Sequence, residues 1–211
     1  MVITYQGVEA IKIQHGDLTV AFNPPSKDSK FSGTSFGADV VLITANHPDL
    51  NGAAQASRKE KEAFVIDGPG EYEVDGLFIR GFVSKTNYGG KMRINTIYTI
   101  TIDGIHVAYL GALDEADLSV EAKEELGQAD ILFVPIGGDG VLNPSDAYKA
   151  AVKREPGIII PIHYGEVGEK DALKQFLSEG GQEDTKPVEK LTVKKKDVDS
   201  KQGEIVVLKN K

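Results

Sequence analysis

Three apolar runs constrain this chain more than any other feature: ADVVLIT at 38–44, ADILFVPI at 129–136 and GIIIPIHYG at 157–165. Aliphatic residues follow one another in each without polar alternation, which is the pattern of a strand covered on both faces. Such strands need a layer above and a layer below. The rest of the chain must therefore supply a second sheet, helices, or both.

Strand patterns dominate the first half. Apolar runs at 10–13 and 18–22 flank the turn-like His15-Gly16-Asp17. Asn23-Pro24-Pro25 then ends pairing, because proline cannot donate to a ladder. The polar, glycine-bearing stretch 26–37 reads as a loop. Further strands are expected at 64–66, 77–82, 96–102 and 105–110. Gly68-Pro69-Gly70, Val74-Asp75-Gly76 and Asp103-Gly104 break them, the last as a hairpin turn. After residue 115 the period changes. Ser119 caps a helix that runs to Leu126 and stops at Gly127, and Asn143-Pro144 opens another to about Arg154. A third helix is expected over 169–179, ended by Gly180-Gly181. The tail, KLTVKKKDVDSKQGEIVVLK, suggests a closing hairpin. Strands first and strand–helix alternation later imply a layered α/β or α+β domain over residues 1–211, with helices outside paired sheets.

Composition narrows the chemistry. With 24 basic against 32 acidic residues the net charge is −8, so no global field draws the chain to nucleic acid or anionic lipid. No run is long enough to cross a bilayer. The N-terminal MVITYQGVEAIKIQHG lacks the basic and apolar regions of a secretory signal, and a cytoplasmic location is expected. The chain has no cysteine, which removes disulfides, iron–sulfur clusters, thiolate zinc sites and cysteine nucleophiles together. Any metal must be held by histidine and carboxylate. The expected partner is a small molecule or another protein, with self-association left open and neither nucleic acid nor membrane expected.

Four histidines are available. His15 falls in a turn and His106 in the middle of a strand, and both read as surface residues. His47 and His163 instead follow buried strands directly, where sheet folds place ligand-binding side chains. Asp49, two residues after His47, can reach the same place. His47, Asp49 and His163 are therefore the candidate metal ligands. GPGEYE at 68–73 reads as a turn entering a strand, since Glu71 would repel a phosphate. Lys194-Lys195-Lys196 reads as a solvated face.

ADVVLITANHPDLNG resembles the metal-binding strand and loop of the metallo-β-lactamase superfamily, where Thr-His-x-His-x-Asp-His follows a buried strand. ITYQGVEAIKI resembles the opening strands of the small metal-dependent hydrolase branch related to L-ascorbate-6-phosphate lactonase. GPGEYEVDGLFIRGF, NTIYTITIDGIHVAYLGAL, ADILFVPIGG and IIIPIHYG are similar to its later segments, in order. The resemblance implies a four-layer αββα sandwich with its site along one edge of the sheets. It also implies a depleted ligand set. Thr44, His47, Asp49 and His163 match the family's residues, whereas Ala45, Leu50 and Ala112 stand at ligand positions. No histidine falls at 84–87, Asn23 replaces an aspartate, and Val8 stands where the branch often has histidine.

Catalytic zinc keeps three protein ligands and an open position, and neither half of the family's dinuclear site reaches three here. The expectation is a degenerate member of the superfamily, without cofactor, acting as a non-catalytic binding or regulatory module. The alternative is a weak hydrolase of an ester, lactone or phosphate. It would hold zinc or another divalent metal at partial occupancy on a makeshift mononuclear site of His47, Asp49 and His163, with Asp114 or Asp139 nearby. Asp49 would then be the catalytic residue. Without a cation, Asp49 is expected to hold one or both imidazoles through charge-assisted hydrogen bonds and to raise the pKa of the histidine it holds.

Overall fold

Two sheets carry the strands in a computed structural model that describes residues 1–31, 36–57 and 62–210. β1 (Val2–Tyr5), β2 (Ile11–His15), β3 (Leu18–Phe22), β4 (Val40–Leu42) and β5 (Phe64–Ile66) lie in sequence order across the first. β6 (Gly70–Val74), β7 (Leu77–Thr86), β8 (Arg93–Ile102), β9 (Ile105–Tyr109), β10 (Ile131–Pro135) and β11 (Ile158–Ile162) do the same across the second. Each sheet begins antiparallel and turns parallel, the first from β3 to β5 and the second from β9 to β11. The helices are α1 (Ala53–Ala56), α2 (Val120–Leu126), α3 (Pro144–Val152), α4 (Ala172–Glu179) and α5 (Lys195–Val198).

The apolar runs divide between two faces with the period of a strand. Val40, Leu42, Ile131, Phe133, Ile158 and Ile160 point into one core shared by both sheets. Leu132, Val134 and Ile159, between them in sequence, pack outward against Leu126 of α2, Ala147 of α3 and Phe176 of α4. Val41 and Ile43 pack outward against Ala38 and Ala56. Fully burying one such side chain stabilises by roughly 1.5–3 kcal/mol, so these alternating faces hold the layers together. The order is helix, sheet, sheet, helix. The outer layer on the first sheet is thin, with α1 only four residues long.

Local sequence features act as expected where they are strong. Asp103 and Gly104 both have positive φ, 54° and 71°, and join β8 to β9 through the Ile102–Ile105 pair. The Ser119 side chain accepts from Ala122 N–H, and the Asn143 side chain accepts from Asp146 N–H. GPGEYE turns into β6.

Other boundaries differ. β7 continues to Thr86 and β8 begins at Arg93, because pairing carries the ladder on through 84–86 and 93–96, where most residues are polar. α4 starts at Ala172, not at 169, and the Glu169 N–H is bound to the Gly137 carbonyl. The tail forms no hairpin. β12 (Leu191–Thr192) joins β1 in the first sheet and β13 (Glu204–Ile205) joins β11 in the second, with α5 between them. The stretch expected as a loop at 26–37 contains no helix or strand where it is described; residues 32–35 lie outside the described residues.

Candidate functional site

The parallel strands of both sheets deliver their carboxyl ends to one rim. Asn23 leaves β3, Thr44 follows β4, and His163 leaves β11, while Val8 and Glu9 occupy the turn between β1 and β2. Glu9 and His163 are completely buried there. His163 Nδ1 lies 2.7 Å from Glu9 Oε1, and the Asn23 side-chain amide donates to Glu9 Oε2 at 2.8 Å. The same amide donates to Thr44 Oγ1 at 2.8 Å, and the Tyr109 hydroxyl donates to the Glu9 carbonyl. A buried carboxylate–imidazole pair persists only when its remaining lone pairs are satisfied, and this network satisfies those of Glu9.

The backbone around this pair is strained. Val8, Asn23 and His163 have φ of 52°, 43° and 60°. For a β-branched residue such as valine this is an outlier, costing on the order of 1–3 kcal/mol. Two hydrogen bonds hold Val8 in place: its carbonyl accepts from His163 N–H at 2.6 Å and from the Tyr5 hydroxyl at 2.8 Å.

His47 and Asp49 sit beside the pair, in the loop after β4. The Tyr88 hydroxyl donates to Asp49 Oδ2 at 2.7 Å and the Ser29 hydroxyl donates to Oδ1 at 2.6 Å. Both carboxylate oxygens are thus engaged by hydroxyl donors. His47 Nδ1 accepts from Asp49 N–H at 3.2 Å, so its 3.5 Å approach to Asp49 Oδ2 is not a hydrogen bond. Burial lowers the His47 pKa from its ordinary 6.5, with Asp49 opposing and Arg93 adding to the effect. That overturns the expected upward shift: with Nδ1 already an acceptor, desolvation outweighs the neighbouring charge. The Tyr88 pKa is raised, first by burial and then by its bond to Asp49.

Tyr88 touches both imidazoles, its ring centroid 4.7 Å from that of His47 and 4.7 Å from that of His163, the latter edge-on at 87°. It projects from a short turn, Tyr88–Gly90, in which Gly89 has φ 72°. A Cβ on Gly89 would fall 2.7 Å from His47 Nε2, so this close approach needs glycine.

The rim therefore brings His47 and His163 together through Tyr88, as the resemblance implies. The Asp49 carboxylate holds neither imidazole, because its oxygens take the Tyr88 and Ser29 hydroxyls and Glu9 holds His163. Asp139 lines the same open cleft of about 650 Å³ as His47, Asp49 and Tyr88, whereas Asp114 lines a different one. His15 and His106 are exposed, as read from sequence. Glu9 and Tyr88 were not among the sequence candidates. Glu9 is a single acid inside an apolar hairpin, and Tyr88 is one aromatic in a glycine turn, so neither carries a local signal.

A divalent cation needs lone-pair donors converging on one point. Val8, Ala45, Leu50 and Ala112 instead form one buried apolar cluster with Tyr88, Val141 and Val167. Among the described residues no group of three or more histidine or acidic side chains is arranged to hold a metal. The residues present do not fit the dinuclear centre of the fold. One atom runs the other way: His163 Nε2 is buried and has no hydrogen-bond partner among the described residues.

Sheets stacked between helices, with the site at the carboxyl ends of the parallel strands, define an αββα sandwich of the metallo-β-lactamase type. A model of the beta-lactamase superfamily domain matches residues 2–163, and the chain belongs to the metallo-β-lactamase superfamily. The UPF0173 metal-dependent hydrolase YtkL of Bacillus subtilis is 25% identical over 195 residues, covering 78% of this chain and 86% of the relative. A UPF0173 metal-dependent hydrolase of Carboxydothermus hydrogenoformans is 27% identical over 194 residues, covering 78% and 84%. A Thermotoga maritima structure, described as a Zn-dependent hydrolase of the superfamily, superposes with a TM-score of 0.73. Its identity is 27%, over 100% of this chain and 99% of the other.

Proposed function

We propose that this chain is a superfamily member that has lost the dinuclear metal site and serves as a non-catalytic binding or regulatory module. One observation carries the reading: Ala45, Leu50 and Ala112, which the resemblance places at ligand positions, pack into one apolar cluster with Val8 and Tyr88. Apolar side chains at those positions donate nothing to a cation and do not lower the pKa of a bound water. The Glu9–His163 pair then holds the rim together, and the cleft over Tyr88, edged by Asp139 and Glu166, is the binding surface for a small molecule or protein.

A second reading keeps one weakly held divalent cation on His47, Asp49 and His163, in a hydrolase of an ester, lactone or phosphate. The unpartnered His163 Nε2 favours it, as do the relatives' names. It requires Tyr88 to withdraw from both imidazoles and Asp49 to release its hydroxyl donors.

Elemental analysis of tag-free protein, purified without added metal, separates the two. The proposed reading expects zinc far below one equivalent and no turnover of a chromogenic ester, lactone or phosphate on adding zinc. One or more equivalents retained through gel filtration, with zinc-dependent turnover, would overturn it.

A further inference from the structure

A second cavity, about 570 Å³, lies between the C-terminal end of α3 and the loop at 114–117, and shares no lining residue with the cleft at His47. Its volume is within the range of small-molecule sites. Arg154 lines it and is 8% exposed. Nη1 donates to the Ala150 carbonyl, which accounts for one nitrogen as a helix C-terminal contact. Nε is buried without any partner among the described residues. Nothing else among the described residues binds the guanidinium, and the side chain lines the cavity. Among the described residues no carboxylate pairs with this guanidinium. Burial lowers its pKa, consistent with a cation lacking a counter-charge. A desolvated cation left without an acid is costly, and a bound anion is the partner that would complete it.

The other lining charges narrow the ligand. Lys123 is committed to Asp117 at 3.1 Å and Lys149 to Asp146 at 3.6 Å. Among the described residues Lys153 has no ion pair, and it sits beside Arg154 in the lining. Asp114 and Glu115, without a basic partner among the described residues, disfavour a doubly charged head group. Leu142 and Ala150 supply an apolar wall.

We propose that this cavity binds a small monocarboxylate with an apolar body, its carboxylate seated against Arg154 with Lys153 at the mouth. The test titrates acetate, hexanoate, hexanamide and inorganic phosphate into the full chain, following backbone amide signals of residues 114–117 and 150–154. Hexanoate should bind saturably and about tenfold or more tighter than acetate, the order expected for burying a few methylenes. Hexanamide and phosphate should be far weaker. Arg154→Met removes the charge but keeps the stem, so it should melt at or above wild type and weaken hexanoate by about tenfold or more. Lys153→Gln, at a side chain with no ion pair among the described residues, should weaken it a few-fold with the fold intact. No saturable binding of hexanoate, or equal binding of hexanamide or phosphate, overturns the proposal in wild type alone. Hexanoate affinity unchanged in a less stable Arg154→Met would reduce Arg154 to a helix cap.

Discussion

Tyr88 is the residue on which the two halves of the rim depend, since its ring meets both imidazoles and its hydroxyl meets Asp49. Tyr88→Phe keeps the ring and leaves one buried carboxylate oxygen without a donor. It should cost about 1–3 kcal/mol in urea denaturation. Tyr88→Ala also empties the apolar cluster and should cost about 3–5 kcal/mol. His47 gives a pH test. Its folded pKa is below the unfolded value, so the neutral ring's contribution is fully present above about 6.5 and is lost as pH falls through the folded pKa. Denaturation midpoints at pH 7.5 and 5 should therefore converge in His47→Gln relative to wild type. What sequence reveals at this scale depends on whether a partner is near. Ala45, Leu50 and Ala112 are legible because they interrupt a known spacing. Glu9 is not, because its partner His163 is 154 residues away.

At the scale of elements, the turn Tyr88–Gly90 aims the tyrosine. Gly89→Ala puts a Cβ at positive φ and into His47 Nε2, and should cost about 1–3 kcal/mol while shifting the His47 ring signals in NMR. Asn143→Ala removes the cap of α3 and should cost about 1 kcal/mol, read as a lower melting temperature, without changing those ring signals. Capped helices and hairpin turns were legible because their determinants are a few residues apart. The tail was not. Its strands are two residues each, and only pairing with β1 and β11 decides that they enter opposite sheets.

The whole molecule is organised by the sequence runs that have no polar face. They announce layers on both sides, but not that the first sheet would be covered by so short a helix as α1. The shared core also buries Tyr5, Tyr98 and Tyr109, and Tyr164 packs against it; burial raises the pKa of all four. A raised folded pKa keeps stability intact below the unfolded value of about 10 and removes it as pH rises beyond. Denaturation midpoints should therefore hold to about pH 9 and fall steeply above pH 10. Among the described residues no helix is long and apolar enough to cross a membrane. The central claim for the molecule is that packing has replaced coordination at the rim, and zinc-dependent melting of the wild-type chain at about pH 7.5 tests it most directly. The melting temperature should be unchanged by equimolar zinc. A rise of several degrees that a chelator reverses and Asp49→Asn abolishes would contradict it.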